Sequence, residues 1–409
     1  MKLFIPLLTV LISPLLAQDW PQWRGPTRDG EVPAKAAAWP KTLTLDNLKL
    51  VWKTDLAEGY SSPIVSGDRV FTVETKSKQD EIVRAFSRKD GKQLWEASWP
   101  GSMRVPFYAA KNGSWVRSTP ATDGKSLFVG GMRDVLVSLD VETGKINWRR
   151  DYPGEEKTPL PSFGFVSSPL LDSENIYVQV GTSMRKIRKK DGETVWQALA
   201  DERAMFGSAF SSPARTKIGG VDQILVQTRT YLGGILPDSG KALWTTKVKA
   251  FRGMNILPPT AIGDQVFTAT YGGGSFLFDV AKKDRSLVAT QLWNDGKREG
   301  YMSSPVVIGG RVYLHGRDKR FHCLDPETGK TLWSSEQKFG EYCSMVIQGN
   351  HILALDQRGI LMLIEADPGE FKLISQVNLE TPPTWAHLAV CGDELYVRHL
   401  KGLHLYRWK

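Results

Sequence analysis

The sequence predicts an all-β protein: an eight-bladed β-propeller of four-stranded antiparallel blades, its ring closed by an N-terminal strand joining the C-terminal blade. Three observations carry this. Two short motifs recur in fixed order along the chain, the segments between them read as strands separated by tight turns, and a strand near the N-terminus carries the tryptophan that the last unit lacks.

The chain opens with Met1-Lys2 and an apolar run from Leu3 to Leu16, followed by the small residue Ala17 and the polar pair Gln18-Asp19. That order is the pattern of a cleavable secretory signal peptide, expected over 1–17, and the run is too short to span a bilayer. No cysteine lies near the junction, so lipid attachment there is chemically excluded and no stable membrane anchor is expected. Residues 18–47 form a Trp/Pro-rich arm opening Asp19-Trp20-Pro-Gln-Trp23-Arg24-Gly25-Pro26, read as an extended clamp over the propeller.

The propeller is expected over 48–409. Ser138-Leu-Asp-Val-Glu-Thr-Gly-Lys-Ile-Asn-Trp148 and Cys323-Leu-Asp-Pro-Glu-Thr-Gly-Lys-Thr-Leu-Trp333 share one frame. Looser copies end Asp90-Gly91 to Trp95, Asp191-Gly192 to Trp196 and Ser239-Gly240 to Trp244. A second marker, Ser-Ser-Pro or a close variant, precedes each copy, at Ser61, Ser118, Ser167, Ser211 and Ser303, and recurs at Leu257. After each marker come an apolar run, a Gly-containing turn and an alternating strand such as Val70 to Val73 or Val312 to Leu314. Glycine supplies the positive φ of such turns, and β-branched and aromatic residues suit a half-buried pleated surface. In Asp-x-x-Thr-Gly the side chains bond the turn backbone while Gly turns left-handed, and the Trp that follows buries a broad face between blades.

Counted this way, blades lie near 60–99, 114–151, 165–199, 210–247, 255–293, 301–337 and 342–377. The seventh is degenerate, ending Ala366-Asp-Pro-Gly-Glu370 without the Trp. Residues 385–409 hold three strands, and Lys49-Leu-Val-Trp52-Lys-Thr-Asp55 is a fourth without a sheet. Joining them completes an eighth blade and removes the exposed sheet edges.

Composition narrows the function. The net charge of +9 is dispersed among many acidic residues, with no nucleic-acid motif beside it, so nucleic acid is not an expected partner. Three scattered cysteines (Cys323, Cys343, Cys391) are too few for a disulfide framework; one bridge among them is possible, and buried thiols are the expected state. The six histidines show no metalloprotease spacing; His315 and His322 flank a turn and are read as ordinary strand residues. Tyr271-Gly-Gly-Gly274 lies between two strands and is read as a hairpin turn, since no helix follows to receive a phosphate.

Asp140, Thr143, Gly144 and Trp148, with Asp325, Thr328, Gly329 and Trp333, make the chain resemble the PQQ-like (quinoprotein-type) β-propeller repeat family, with partial matches at the other three copies. The resemblance covers about residues 48–409 and extends to the BamB-type propeller proteins of the bacterial envelope. It implies structural docking roles for Trp52, Trp95, Gly144, Trp148, Trp196, Trp244, Gly329 and Trp333. It also implies two classes of function. The first is a non-catalytic scaffold, periplasmic or secreted, that binds an envelope protein or polymer and needs no cofactor. The alternative is a quinoprotein oxidoreductase with PQQ and calcium, or another small-ligand enzyme using the axial face. The second departs from this sequence in lacking an adjacent cysteine pair and a convincing cluster of oxygen ligands, so no catalytic, cofactor or metal residue is assigned.

The informative positions are those leading into each first strand, where a propeller brings the chain to its axis. They carry Tyr60, Trp115, Arg117, Phe163, Phe165, Phe206, Phe210, Arg252, Asn255, Tyr301, Tyr342, Trp385 and His387. An aromatic ring with arginines suits a planar ligand or a gripped peptide, as aromatic and Arg side chains dominate binding hot spots.

Overall fold

The computed structural model describes residues 18–201 and 209–408. The expected signal segment and Phe206 lie outside them. The described residues form eight four-stranded antiparallel sheets, each in sequence order except the last. Blades one to seven occupy 64–100, 121–151, 170–198, 214–247, 260–295, 306–334 and 343–378. Blade eight takes three strands from 389–408 and its outermost from Leu48–Asp55, which runs against Gly402–Trp408 from the pair Leu48/Trp408 to Asp55/Gly402.

Every outermost strand carries the same irregularity. In blade two Ser138 pairs with Trp148 and Leu139 with Ile146, leaving Asn147 as the extra residue of a β-bulge. Blades one, three, four, five and six skip Leu94, Val195, Leu243, Leu292 and Leu332 in the same register, and blade eight skips Val51. A bulge bends its strand and re-aims the next side chain. Here it turns each Trp towards the following blade and leaves the skipped residue at the edge, which is why Val51, Leu94, Val195, Leu292 and Leu332 are exposed.

The turned Trp docks on the next blade's motif. Trp95 Nε1 donates to the Val141 carbonyl (2.9 Å) and Trp148 Nε1 to the Lys189 carbonyl (2.7 Å). A Cβ on Gly144 would lie 2.5 Å from the Trp95 ring, and one on Gly192 2.7 Å from Trp148. These glycines therefore serve twice, holding φ near 71° and 74° and admitting the indole face. Trp52 docks likewise on blade one and Trp196 on blade four. Trp293, which the sequence pattern did not single out, docks on Gly329 and donates to the Pro326 carbonyl (2.7 Å).

Two seams depart from the rule for identifiable reasons. Blade five has a long hairpin, Gly274–Lys283 to Ser286–Asp295, in place of the Asp-x-x-Thr-Gly turn. Trp244 therefore finds no glycine there and donates inside its own blade, to Gln223 Oε1 (2.7 Å). In blade seven the residue in the tryptophan register, opposite Leu363, is Ser375. The arm fills that gap: the Leu43 N–H donates to Ser375 Oγ (2.7 Å), Leu43 is buried, and Trp39 packs edge-on against Trp408 at 6.2 Å.

Around the axis the Ser-Ser-Pro markers form a belt. The Ser62 N–H donates to Thr119 Oγ1, Thr119 to Ser168 Oγ and Ser168 to Ser212 Oγ, at 3.1, 3.1 and 2.9 Å. The His387 N–H of blade eight joins this run at Ser62 Oγ (2.7 Å), and further round the ring the Cys343 N–H donates to Ser303 Oγ and the Leu388 N–H to Ser344 Oγ, each at 2.9 Å. At blades one to four the second residue of the marker thus bears a hydroxyl that accepts the neighbouring blade's N–H, whereas blade five carries Pro258 at that place. Cys323, Cys343 and Cys391 are buried and unpaired.

Candidate functional site

The belt lines a central channel that the arm closes at one end. The Trp20 N–H and carbonyl bond Val65 in blade one at 2.9 Å each, and the Pro21 carbonyl accepts from Thr122 in blade two. The chain then crosses the axis and pairs with Ile347 in blade seven through Gly30 and Val32. Between these points Arg28 and Arg24 reach across the bore. Arg28 donates to the carbonyls of Pro169 (2.6 Å), Pro213 (3.0 Å) and Ser168 (3.0 Å), and Arg24 to that of Pro305 (2.7 Å). Prolines offer the axis a carbonyl, and the arm supplies the donors that face it. Burial lowers the guanidinium of Arg24 to about 10, with the Asp29 carboxylate opposing it, and that of Arg28 to about 9, with Arg24 adding to the fall. Both lie near the Trp23 ring, at 5.6 and 5.4 Å from its centre.

Above this floor the channel opens as a blind cavity of about 430 Å³. All eight blades contribute to its wall through the segments that lead into their first strands. Of the positions singled out in the sequence, Tyr60, Arg117, Phe210 and Arg252 face the cavity. So do Tyr301, Tyr342, Trp385 and His387, and Phe163 beside Phe210. Three do not reach it. Trp115 stands behind Tyr60, edge-on at 5.5 Å. Phe165 is buried in the seam between blades two and three, so close to Gly130 that a Cβ there would lie 1.9 Å from its ring. Asn255 is buried as a tie, its Nδ2 donating to the carbonyls of Thr228 (2.8 Å) and Arg229 (3.1 Å).

The wall also includes residues with no sequence marker: Trp23 of the arm, Tyr108 and Asn112 of a 3₁₀ turn at Phe107–Asn112, and Phe251 and Tyr271. Their common signal is an aromatic residue in a long connection on one face, visible only once the blades are aligned. Rings group in arcs: Tyr342 stacks on Trp385 at 5.8 Å and Trp385 lies 5.8 Å from Tyr60. Tyr301, Tyr271 and Phe251 form a second arc at 5.6 and 5.8 Å, and Phe163 with Phe210 a third at 5.5 Å. At the mouth the wall residues Tyr108 and Phe251 are exposed to 54 and 49%, and Phe107, edge-on to Tyr108 at 5.5 Å, to 90%.

Polar chemistry in the cavity is sparse and of one sign. Among the described residues no Asp or Glu lines it. Arg117 lies 5.6 Å over the Tyr60 ring and donates to the Gly113 carbonyl (2.8 Å), while its Nε has no hydrogen-bond partner. Burial lowers its pKa, and burial raises the Tyr60 hydroxyl to about 12. At the floor His387 packs edge-on to Trp23 at 6.2 Å, its Nε2 unpartnered. Burial, with Arg24 nearby, depresses its pKa to about 3, so the ring is neutral.

The other sequence features are accounted for elsewhere. His315 Nδ1 bonds Ser303 Oγ (3.0 Å), and His322 bonds Ser334 and Asp318 (2.8 and 2.9 Å), each within its blade. Gly272 to Gly274 form the turn between two strands of blade five. No group of three His, Cys, Asp or Glu side chains that could hold a metal occurs among the described residues.

Comparison with known proteins gives one consistent result. The profile of the family described as outer membrane protein assembly factor BamB matches residues 40–114 and 79–335. The outer membrane protein assembly factor BamB of Yersinia pestis is 23% identical over 369 residues, covering 86% of this chain and 86% of that protein. The crystal structure of BamB from Moraxella catarrhalis superposes with a TM-score of 0.64 at 16% identity, over 88% of this chain and 98% of that one. The quinohemoprotein alcohol dehydrogenase of Comamonas testosteroni reaches 0.65 at 14% identity, over 95 and 80%. At these identities the structural likenesses speak for the fold.

Proposed function

Because the chain belongs to the outer membrane protein assembly factor BamB family, we propose that it is a non-catalytic scaffold of the bacterial envelope, working in outer membrane protein assembly by docking a protein partner at the open mouth of its axial cavity. The observation that carries this reading is the contrast between the two ends of the axis: one is sealed by the chain's own arm, and the other presents Phe107, Tyr108 and Phe251 to solvent. Exposed aromatics clustered round a concavity are the usual form of a protein-recognition hot spot. Binding of an envelope polymer at the same face is the finer alternative. A periplasmic location follows from this reading and from the signal-like opening of the sequence.

Photo-crosslinking from position 107, in cells making the chain, tests the proposal against position 92 on the outer edge. A protein adduct from 107 that contains an outer membrane assembly component, and is absent from 92, supports it. Equal adducts from both positions, or polysaccharide alone at 107, overturn it.

The likeness to a quinohemoprotein dehydrogenase favours a second reading in fold only. A quinone held with calcium needs clustered oxygen ligands, and the described wall supplies hydroxyls, aromatics and arginines but no carboxylate. The residues therefore do not fit that group. Dye-linked alcohol or sugar oxidation after incubation with PQQ and calcium is the check, and measurable turnover would defeat the scaffold reading.

A further inference from the structure

The cavity beneath the mouth has a chemistry of its own, separate from protein docking at the rim. Its floor is closed by Trp23 and the carbonyl-bonded Arg24 and Arg28, so whatever enters must be small enough for about 430 Å³. That volume lies within the range of small-molecule sites. Its wall is dominated by rings, with the Tyr342–Trp385 stack and Tyr60 forming one continuous aromatic arc. Its charge is cationic: Arg117 and Arg252 face the cavity, Arg24 and Arg28 lie under the floor, and no carboxylate lines it among the described residues. Among the described residues the Arg117 guanidinium has no carboxylate within ion-pair distance; it donates to the Gly113 carbonyl and lies over the face of Tyr60. The buried His387, 4% exposed, brings an unpartnered Nε2 to the same wall.

We propose that the axial cavity binds a small aryl carboxylate, its ring on the Tyr60–Trp385–Tyr342 arc and its carboxylate on Arg117. A planar ring recovers the stacking area of the wall, and an anion supplies the acceptor that a guanidinium in an apolar setting lacks. A cation is repelled by these arginines, and an aliphatic acid forgoes the aromatic contacts. Recognition rests on arginine and not on a metal, and it does not require the partner docking argued above.

The test is isothermal titration of the purified chain with 2-naphthoate and its neutral isostere 2-naphthamide, each with and without EDTA. The acid is expected to bind at least tenfold more tightly than the amide, with no effect of EDTA. Arg117→Met is expected to abolish that preference while the unfolding midpoint stays near that of the parent. Trp385→Phe is expected to remove most of the ligand-induced fluorescence quenching, and it serves as the second variant where Arg117→Met does not fold. Equal affinity for acid and amide, loss of binding in EDTA, quenching unchanged in Trp385→Phe, or no binding of the acid each overturns the proposal. Crosslinking from position 107 is expected to be the same in Arg117→Met as in the parent, so failure of the small-ligand site and failure of the docking reading are separately visible.

Discussion

At one end of the axis Arg24 and Arg28 are buried and donate to carbonyls of blades three, four and six, with Trp20 beneath them at 1% exposure. At the other end Phe107, Tyr108 and Phe251 stand in solvent, and polar contacts give way to ring against ring. The two ends border one channel and share one belt of hydroxyls, yet they answer different needs. The closed end satisfies backbone groups that face the axis and would otherwise be buried without partners. The open end spends no residue on sealing itself. Buried polar ties are concentrated where the arm crosses, and exposed rings where it does not.

Substitutions at the two ends should separate these roles. The largest effect is expected from Trp20→Ala, which empties a fully buried site packed against Gly25 and costs about 3–5 kcal/mol in denaturant unfolding. Arg28→Met comes next: three buried carbonyls lose their donor, partly offset by relief of a desolvated charge, for a net loss of about 2–4 kcal/mol. An intermediate and pH-dependent effect is expected at His387, whose folded pKa near 3 lies below the ordinary 6.5. The unfolded chain takes up a proton there as pH falls below 6.5 and the folded chain does not, so stability contributed by neutral His387 is lost on acidification. Thermal melts of the parent against His387→Asn should therefore diverge by about 1.4 kcal/mol per pH unit between pH 6 and 4, the parent falling faster. The smallest stability effect is at the mouth. Phe107→Ser is expected to change unfolding by less than about 0.5 kcal/mol while sharply reducing partner crosslinking from a neighbouring mouth position. A mouth substitution as costly as one in the floor would erase the contrast.

Most of the fold was legible in the sequence, because a closed ring repeats one contact many times. Five blades use a Gly to receive a neighbour's indole, at Gly91, Gly144, Gly192, Gly240 and Gly329, and most of the first-strand markers offer a hydroxyl to a neighbour's N–H, so both leave marks at regular spacing. Legibility failed where the contact changed partners. Trp293 was passed over because blade five replaces the Gly turn by a longer hairpin, and Trp244 was read as docking like its equivalents although it bonds Gln223 in its own blade. The blade-seven gap at Ser375 was visible, but not its repair by Leu43, which comes from more than three hundred residues away.

The candidate site was legible in part for the same reason. Residues immediately before a first strand reach the axis by construction, which brings Tyr60, Arg117, Tyr301, Tyr342 and Trp385 to one cavity. Phe165 and Asn255 occupy equivalent stretches but are drawn sideways, one by the space over Gly130 and the other by two carbonyls of blade four. The arm was read as a clamp from its Trp and Pro content. Its arginines carried no sequence mark of their role, since their acceptors are backbone carbonyls, which every residue possesses.

The closing strand Leu48–Asp55 and the arm before it find their partners in blade eight, at Ile347 and at Ser375, as well as in blades one to four. A ribosome makes this segment before the surfaces that will hold it, so it must wait through the synthesis of nearly the whole chain. Its contacts are among the longest in sequence separation and the last that can form, which makes ring closure a late, slow event in maturation. Until then both the channel floor and the seam at blade seven stay open, and a polypeptide shortened by even its final strand would leave its own beginning without a seat.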